Sequence, residues 1–303
     1  MKHDYLIRVL GANEKVRGFA VDTKGIVEHA RLIHHNTPLA SAILGRLMSA
    51  GLMMGQMLKS KEDKLTVQLL GDGPFKHAII TSNLAGTVRG YVSNPGVELP
   101  LRKDGHLDVS RAIGNGSLTV IRDMGLKDPY VSSIDLTSGE IAEDLTYYFA
   151  QSEQTPSSVG LGVLVDVDQT ILASGGFLLQ LMPNTDQKTI DQLEKNIKNF
   201  VGVTPYLSQG HSLEEMMDVL FEGFDHEVTD TMDVSWKCNC SFERGKEVLA
   251  TLKREEIVNM IEEGKPVEVN CDFCQSHYRY DIEDLKEVLS HIDDRKSDTI
   301  DLP

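Results

Sequence analysis

Cysteine is absent from this 303-residue chain until position 238, and all four cysteines lie between positions 238 and 274. The start of the chain also lacks the apolar segment of a secretory signal, because Met1-Lys2-His3-Asp4-Tyr5 leads directly into strand-like residues. We therefore expect a cytoplasmic protein. In a reducing compartment, closely spaced cysteines are more typical of metal ligation or redox sensing than of a disulfide scaffold.

Basic residues are scarce in the C-terminal part of the chain. Residues 1–180 carry 19 acidic and 17 basic residues, whereas residues 181–303 carry 27 and 13, and the net charge is −16. From His211 to Trp236 there are eight acidic residues and no lysine or arginine. Nucleic-acid binding needs a basic surface that neutralises phosphates. We therefore expect no nucleic-acid partner.

The longest apolar stretch, Pro38 to Leu58, is interrupted by Arg46 and by three glycines. Thr37 is a good N-cap, and Pro38 is suited to the first helical position. The pattern favours a buried core helix over a membrane span, and we expect no membrane partner.

The alternation of apolar and polar residues predicts an α+β fold with a mixed or mainly antiparallel sheet in a core domain, residues 1–182. A helix is expected from Ser138 to about Gln151, in addition to the helix that begins at Pro38. The expected strands are 4–10, 16–21, 65–70, 77–82, 87–92, 117–122, 130–136, 161–166 and 170–181.

Residues 183–232 are predicted to form an acidic helical linker. Apolar residues recur at helical spacing from Ile190 to Val201, and Thr204-Pro205 is expected to end that helix. Ser212-Leu213-Glu214-Glu215 matches a capping box and opens a second helix. The apolar face of this second helix is the candidate surface for unfolded clients: Leu213, Met216, Met217, Leu220, Phe221 and Phe224.

Residues 233–291 are predicted to form a small zinc-binding module with redox-switch properties, followed by a frayed tail, 292–303. The module is expected to contain a strand at 234–237, a helix at 253–263, a hairpin of 267–270 and 278–281, and a helix from Asp281 to about His291. So few large apolar side chains cannot stabilise such a fold alone, so a metal ion is expected to do so.

The four cysteines form the pairs Cys238-Asn-Cys240 and Cys271-Asp-Phe-Cys274, which provides the four ligands of a tetrahedral zinc ion. Oxidation would remove the thiolates and thereby the metal, so the site is a candidate redox switch. A purely structural zinc site and a thiol–disulfide oxidoreductase are the alternatives, although the second pair lies in a hairpin rather than at a helix start. His277 is a further possible ligand, with a packing role favoured.

These features suggest that the folding of the zinc module and the docking of the linker are coupled. If oxidation unfolds the zinc module, the linker loses its support, and the apolar face of its second helix meets water or an unfolded protein.

The chain resembles the 33-kilodalton chaperonin family, the redox-regulated heat-shock holdases, over essentially its full length. The order and spacing of several motifs carry this resemblance: Cys238-Asn-Cys240-Ser-Phe-Glu-Arg244, Cys271-Asp-Phe-Cys274, Gly71-Asp-Gly-Pro74, Val88-Arg-Gly-Tyr-Val-Ser-Asn-Pro95, Tyr148-Phe-Ala-Gln-Ser-Glu-Gln154 and Gly175-Gly-Phe-Leu-Leu-Gln180. We interpret Gly71–Pro74 and Ser152-Glu153-Gln154 as determinants of the fold rather than as a phosphate loop or a catalytic site.

The resemblance implies an ATP-independent holdase that is inactive while it is reduced and zinc-bound. It implies that oxidation forms the disulfides Cys238–Cys240 and Cys271–Cys274, releases zinc, and unfolds the module and linker. The oxidised protein is then expected to form a homodimer and to hold unfolded clients; it is not expected to be an enzyme. The alternative is a constitutive adaptor with a structural zinc site.

Overall fold

The chain folds into two compact units, Met1–Lys237 and Cys238–Pro303. This computed structural model describes residues 3–298. In chain order, the strands are β1 Tyr5–Gly11, β2 Val16–Asp22, β3 Lys64–Gly71, β4 His77–Asn83, β5 Thr87–Val92, β6 Gly116–Asp123, β7 Tyr130–Asp135, β8 Ser157–Val165, β9 Ile171–Leu181, β10 His226–Asp233, β11 Ser235–Trp236, β12 Val267–Asn270 and β13 His277–Tyr280. The helices are α1 Lys24–His34, α2 Pro38–Gly55, α3 Val109–Ile113, α4 Ile141–Gln151, α5 Gln187–Asn199, α6 Val203–Ser208, α7 Leu213–Leu220, α8 Phe242–Leu249, α9 Arg254–Glu263 and α10 Ile282–Asp298.

In the described part of the first unit there are two sheets, with the strand orders β10-β1-β2-β9-β8 and β11-β5-β4-β3-β6-β7. Neighbouring strands in both sheets pair antiparallel, except that β11 pairs parallel with β5. The predicted α+β class with mixed sheets is therefore confirmed. Each strand expected before position 183 is present.

Helix α2 is the central core element of the first unit. The Thr37 side chain accepts a hydrogen bond from Ala40 N, and Pro38 occupies the first helical position, as the sequence predicts. By length and composition α2 could cross a membrane, but 89% of its apolar window is buried among the other elements. The prediction of a buried core helix is confirmed.

The linker region is only partly helical. The capping box at Ser212 is present, with Ser212 accepting from Glu215 N and Glu215 accepting from Ser212 N, and it opens α7. However, α7 ends at Leu220, and His226–Asp233 forms β10, which pairs with β1. The expectation of a helical structure through this acidic segment is wrong, because the main-chain partner of β10 comes from the other end of the chain.

The end of the first linker helix also differs from the prediction. Helix α5 ends at Asn199, where Phe200 has extended backbone angles. Thr204-Pro205 instead lies in the first turn of α6, where proline is tolerated because the first amides of a helix have no partner within it.

The second unit is small and contains α8, α9, the β12–β13 hairpin and α10. The predicted helix at 253–263 and the predicted hairpin are present. Asp281 accepts a hydrogen bond from Asp284 N at the start of α10, as expected for a cap. The tail prediction is wrong for residues 292–298, which continue α10, and residues 299–303 lie outside the described residues.

Candidate metal centre

The sulfurs of all four cysteines lie within 4.8 Å of one another in the second unit. The Sγ atoms of Cys238 and Cys271 are 3.7 Å apart, and those of Cys240 and Cys274 are 3.2 Å apart. All four cysteines are thiols that form no disulfide bond. The sequence therefore predicted correctly that two distant pairs meet at one point.

Local backbone structure places each pair. Cys271 and Cys274 lie in the turn of the β12–β13 hairpin, where Cys271 N donates to Ser276 O and Gln275 N donates to Cys271 O. Gln275 has a left-handed backbone, with φ of 58°, which closes this turn. Cys238 and Cys240 precede α8, whose first turn is capped by the Ser241 side chain. The turn and the helix cap thus fix the two ends of the cluster.

The donor set fits a zinc ion. Zn–S bonds of about 2.3 Å in a tetrahedron place the sulfurs about 3.8 Å apart, close to the separations observed here. Burial, together with hydrogen bonds to neighbouring thiols, raises the pKa of the Cys271 thiol to about 12. Four thiolates therefore need a nearby cation, and a bound zinc ion would supply that charge.

Two side chains beside the sulfurs were not identified from the sequence. The Tyr278 hydroxyl lies 3.3 Å from Cys240 Sγ, and the Ser276 hydroxyl lies 3.2 Å from Cys274 Sγ. Both hydroxyls can donate hydrogen bonds to thiolates, which orients the ligands and lowers their charge density. The hydrogen bond to Cys240 is the main reason that the pKa of Tyr278 rises to about 12. The i,i+2 spacing from Cys274 could have indicated Ser276, whereas no local signal indicates that Tyr278 lies beside Cys240.

His277 lies outside the four-sulfur cluster. Its Nδ1 atom is 2.7 Å from the Asn270 side-chain oxygen, on the neighbouring strand of the hairpin. This contact accords with the packing role favoured from the sequence.

The candidate client face of α7 is buried against the first sheet. Leu213, Met216, Met217, Leu220 and Phe221 are inaccessible to solvent, and Phe224 is half-buried. They share a core with residues of β1, β2 and β9, which include Ile7, Val9, Ala20 and Leu179.

Gly11 is essential to this packing. A Cβ atom at Gly11 would overlap the Phe221 ring, whose close approach to β1 therefore requires glycine. His226 also packs on Phe221, and the two rings stack with their centroids 5.2 Å apart.

Polar contacts fix both ends of α7. The Tyr5 hydroxyl donates to Glu214 Oε2 at 2.9 Å and accepts from Leu213 N at 3.0 Å. Burial and the neighbouring Glu214 carboxylate raise the pKa of Tyr5 to about 12. At the opposite end, the buried Asn196 side chain of α5 donates to the carbonyl oxygens of Leu220 and Glu222.

The first-unit motifs hold the fold together. Asp72 accepts hydrogen bonds from the backbone and side chain of Asn115, which ties the Gly71–Pro74 turn to the start of β6. Glu153 accepts hydrogen bonds from Tyr148 and Arg122. These contacts support the interpretation of both motifs as fold determinants.

Comparisons with known proteins agree with this arrangement. Residues 4–281 match the family model of the Hsp33 protein. The 33 kDa chaperonin of Agathobacter rectalis is 47% identical over 285 residues, covering 94% of this chain and 99% of the relative. That of Clostridioides difficile is 43% identical over 290 residues, covering 95% and 99%.

The fold comparison extends over the same length. The crystal structure of the 33 kDa chaperonin (heat shock protein 33 homologue) from Thermotoga maritima has a TM-score of 0.87 and 38% identity. The alignment covers 97% of this chain and all of that one. This is a family of chaperones rather than of enzymes. The sequence motifs, the fold and the four-cysteine cluster lead to one conclusion: this chain belongs to the Hsp33 family of 33 kDa chaperonins.

Proposed function

We propose that this protein is a redox-regulated, ATP-independent holdase, with Cys238, Cys240, Cys271 and Cys274 as zinc ligands in its inactive, reduced state. The single observation that carries the proposal is the convergence of four thiols in a unit with very little hydrophobic core. Such a unit depends on its ligated sulfurs for stability, on the order of 10 kcal/mol in small zinc domains.

The proposed activation is a two-electron oxidation at each cysteine pair. In the zinc-bound protein the sulfurs are already thiolates, so formation of Cys238–Cys240 and of Cys271–Cys274 releases four electrons and the zinc ion. Two molecules of hydrogen peroxide accept the four electrons, take up four protons from the solvent and are reduced to four molecules of water. The sulfurs then no longer ligate zinc. This pairing is the one that the resemblance to the family implies. The separations of 3.2 and 3.7 Å lie across the pairs, but all four sulfurs lie within 4.8 Å of one another, so sulfurs that are neighbours in sequence are also within reach of each other.

Chain connectivity supports a link between the thiols and the linker. Cys238 directly follows Lys237, whose amide donates to Val88 O, and β10 ends only five residues before Cys238. Unfolding of the second unit would therefore fray the chain at β11 and β10 first. The acidic composition of this segment adds repulsion within it once it is free.

The α7 face supplies the proposed client surface. Each of its buried leucine, methionine and phenylalanine side chains contributes about 1.5–3 kcal/mol to docking. Release of α7 from the first sheet would expose this face together with the sheet residues beneath it. We propose that clients are unfolded proteins and that the oxidised protein forms a homodimer in the cytoplasm.

The test begins with the reduced, zinc-loaded protein. It is treated with peroxide at raised temperature, and zinc release, far-UV circular dichroism and suppression of client aggregation are followed together. We expect release of one zinc ion per chain, loss of helical signal and a gain in holdase activity. Retention of zinc and structure would instead favour the constitutive adaptor with a structural zinc site.

Phe221→Asp tests the linker separately from the thiols. A carboxylate in the fully buried Phe221 site should cost more than the roughly 3–5 kcal/mol of a phenylalanine truncation. We expect holdase activity in the reduced, zinc-bound variant. A reduced variant as inactive as wild type, despite a displaced linker, would contradict the coupling.

A further inference from the structure

The first sheet has an edge strand that belongs to the linker. β10 pairs with β1 over the full length of β1, from Tyr5 opposite Asp233 to Gly11 opposite His226. It is the terminal strand of its sheet among the described residues. We infer that the β1 edge vacated by β10 after oxidation is a docking site for an extended apolar segment of an unfolded client, which adds to the sheet as an antiparallel strand. This inference rests on the proposed release of the linker.

The backbone groups of β1 that face this edge can be identified. Asp4 O accepts from Val234 N, Ala12 N donates to Asp225 O, and the Thr229 hydroxyl donates to Arg8 O. Since successive residues of a strand direct their backbone groups to opposite sides, Leu6, Arg8 and Leu10 face β10. Ile7 and Val9 face β2 instead. Release of β10 would leave the backbone N–H and C=O groups of Leu6, Arg8 and Leu10 without their hydrogen-bond partners.

β10 is held to β1 mainly through its backbone. Its side chains are exposed, except for the half-buried His226 and Met232. An edge recognised through main-chain hydrogen bonds accepts many sequences, because every residue other than proline offers the same donor and acceptor. That tolerance is what a chaperone for diverse unfolded proteins requires.

The side-chain positions beside the edge favour an apolar occupant. Thr231 and Val228 lie opposite Ile7 and Val9, and paired residues of antiparallel strands point to the same face. This is the face that α7 covers, because Ile7 and Val9 share a core with its buried side chains. Once α7 has left, a strand with large apolar residues at alternate positions would cover Ile7 and Val9 better than β10 does.

The charge of β10 disfavours the addition of another strand to the resting edge. Glu227, Asp230 and Asp233 lie on this exposed strand, and charged residues on edge strands prevent sheet-to-sheet association. In β1 itself, Arg8 is the only charged residue. Loss of β10 therefore exchanges an acidic, protected edge for a nearly uncharged one.

Amide hydrogen exchange at single-residue resolution tests the inference in the full-length protein. In the reduced state, the amides of Leu6, Arg8 and Leu10 should be protected. Oxidation should accelerate their exchange by roughly tenfold or more, and addition of urea-denatured luciferase as the client should restore protection. The Ile7 and Val9 amides are the internal control, because their partners in β2 remain in place throughout.

A pair of peptides separates strand addition from general hydrophobic binding. The probe is a ten-residue peptide with alternating apolar residues, compared with the same sequence N-methylated at two adjacent central amides, so that neither of its edges can pair. The oxidised protein should bind the methylated peptide at least tenfold more weakly. Equal binding of the two peptides would overturn the inference.

The outcomes also distinguish this inference from the proposed function. If oxidised protein holds the client while Leu6, Arg8 and Leu10 stay unprotected, strand addition is wrong and the holdase proposal stands. If it does not hold the client, the holdase proposal itself fails. Protection that returns without client, and only at high protein concentration, would assign the edge to a second copy of this chain and overturn the client as its occupant.

Discussion

The two units of this protein are stabilised in different ways. The first has two large apolar cores, one around α2 and the other between the first sheet and α5–α7. Among its described side chains, the second has six buried apolar ones for three helices and a hairpin: Leu249, Ile257, Tyr280, Leu285, Val288 and Ile292. The core around α2 contains no cysteine and does not depend on a metal ion, whereas the second unit depends on its four sulfurs. The sensor and the stable scaffold are thus separate parts of one chain.

Metal removal should give the largest difference between the units. A strong zinc chelator, added to the reduced protein, is expected to unfold the second unit, because its small core cannot replace a metal contribution on the order of 10 kcal/mol. Hydrogen exchange at Ile257 and Leu285 reports on the second unit, and exchange at Leu44 and Ile80 reports on the α2 core. Cys240→Ser should give the same pattern without chelator. Continued protection of Leu285 after complete zinc removal would break the comparison.

Gly11→Ala should disturb the boundary between the scaffold and the linker. The new methyl group overlaps the Phe221 ring, so α7 must shift or leave, at a cost of about 1–3 kcal/mol or more. We expect partial holdase activity without oxidant, measured by suppression of client aggregation, with zinc still bound. Gly96→Ala is the matched control, since a Cβ atom there would meet only Asn94 Oδ1, at an ordinary contact distance of 3.9 Å. Equal activity of both variants would argue against a tightly packed α7.

Tyr278→Phe should weaken the metal site without removing a ligand. Loss of the hydroxyl beside Cys240 is expected to lower zinc affinity by about 10-fold, and competition with a chromogenic chelator measures this change. His277→Ala, on the same strand but outside the cluster, is the control. An unchanged zinc affinity would show that the Tyr278 hydroxyl does not contribute to metal binding.

Tyr5→Phe should have the smallest effect. It removes the contacts with Glu214 and Leu213 N, which corresponds to about 1 kcal/mol of linker docking. Because the folded pKa of Tyr5 is raised to about 12, its contribution is complete below the unfolded value near 10 and is lost as pH rises through 12. Exchange of the α7 amides should therefore accelerate between pH 10 and 12 more in wild type than in the variant. The same acceleration in both would exclude Tyr5 as the cause.

Local sequence signals predicted the elements that carry them. Thr37-Pro38, the Ser212 capping box and the alternating strands all occur as expected, and cysteine spacing predicted the sulfur cluster. Helix α1 was missed because Thr23 makes no side-chain cap and His35, rather than glycine, takes the left-handed position at its end. Helix α8 was missed because it is only eight residues long and buries only Gly245 and Leu249.

Contacts between distant residues could not be predicted in this way. β10 is an exposed acidic strand with no apolar alternation, and only its pairing with β1 makes it a strand. The hydroxyl beside Cys240 likewise comes from Tyr278, 38 positions away. Both contacts depend on which distant segments of the chain come together in the fold, and local patterns in a single sequence do not contain this information.

The Asn196 amide has a consequence for how much of the chain moves at once. Both of its hydrogens go to carbonyl oxygens at the end of α7, so departure of α7 alone would leave a buried donor without acceptors, at about 1–3 kcal/mol. Helices α5 and α7 should therefore detach as a single cooperative block. The response to oxidant dose should therefore be steep, because an intermediate in which only one of the two helices has detached is higher in free energy.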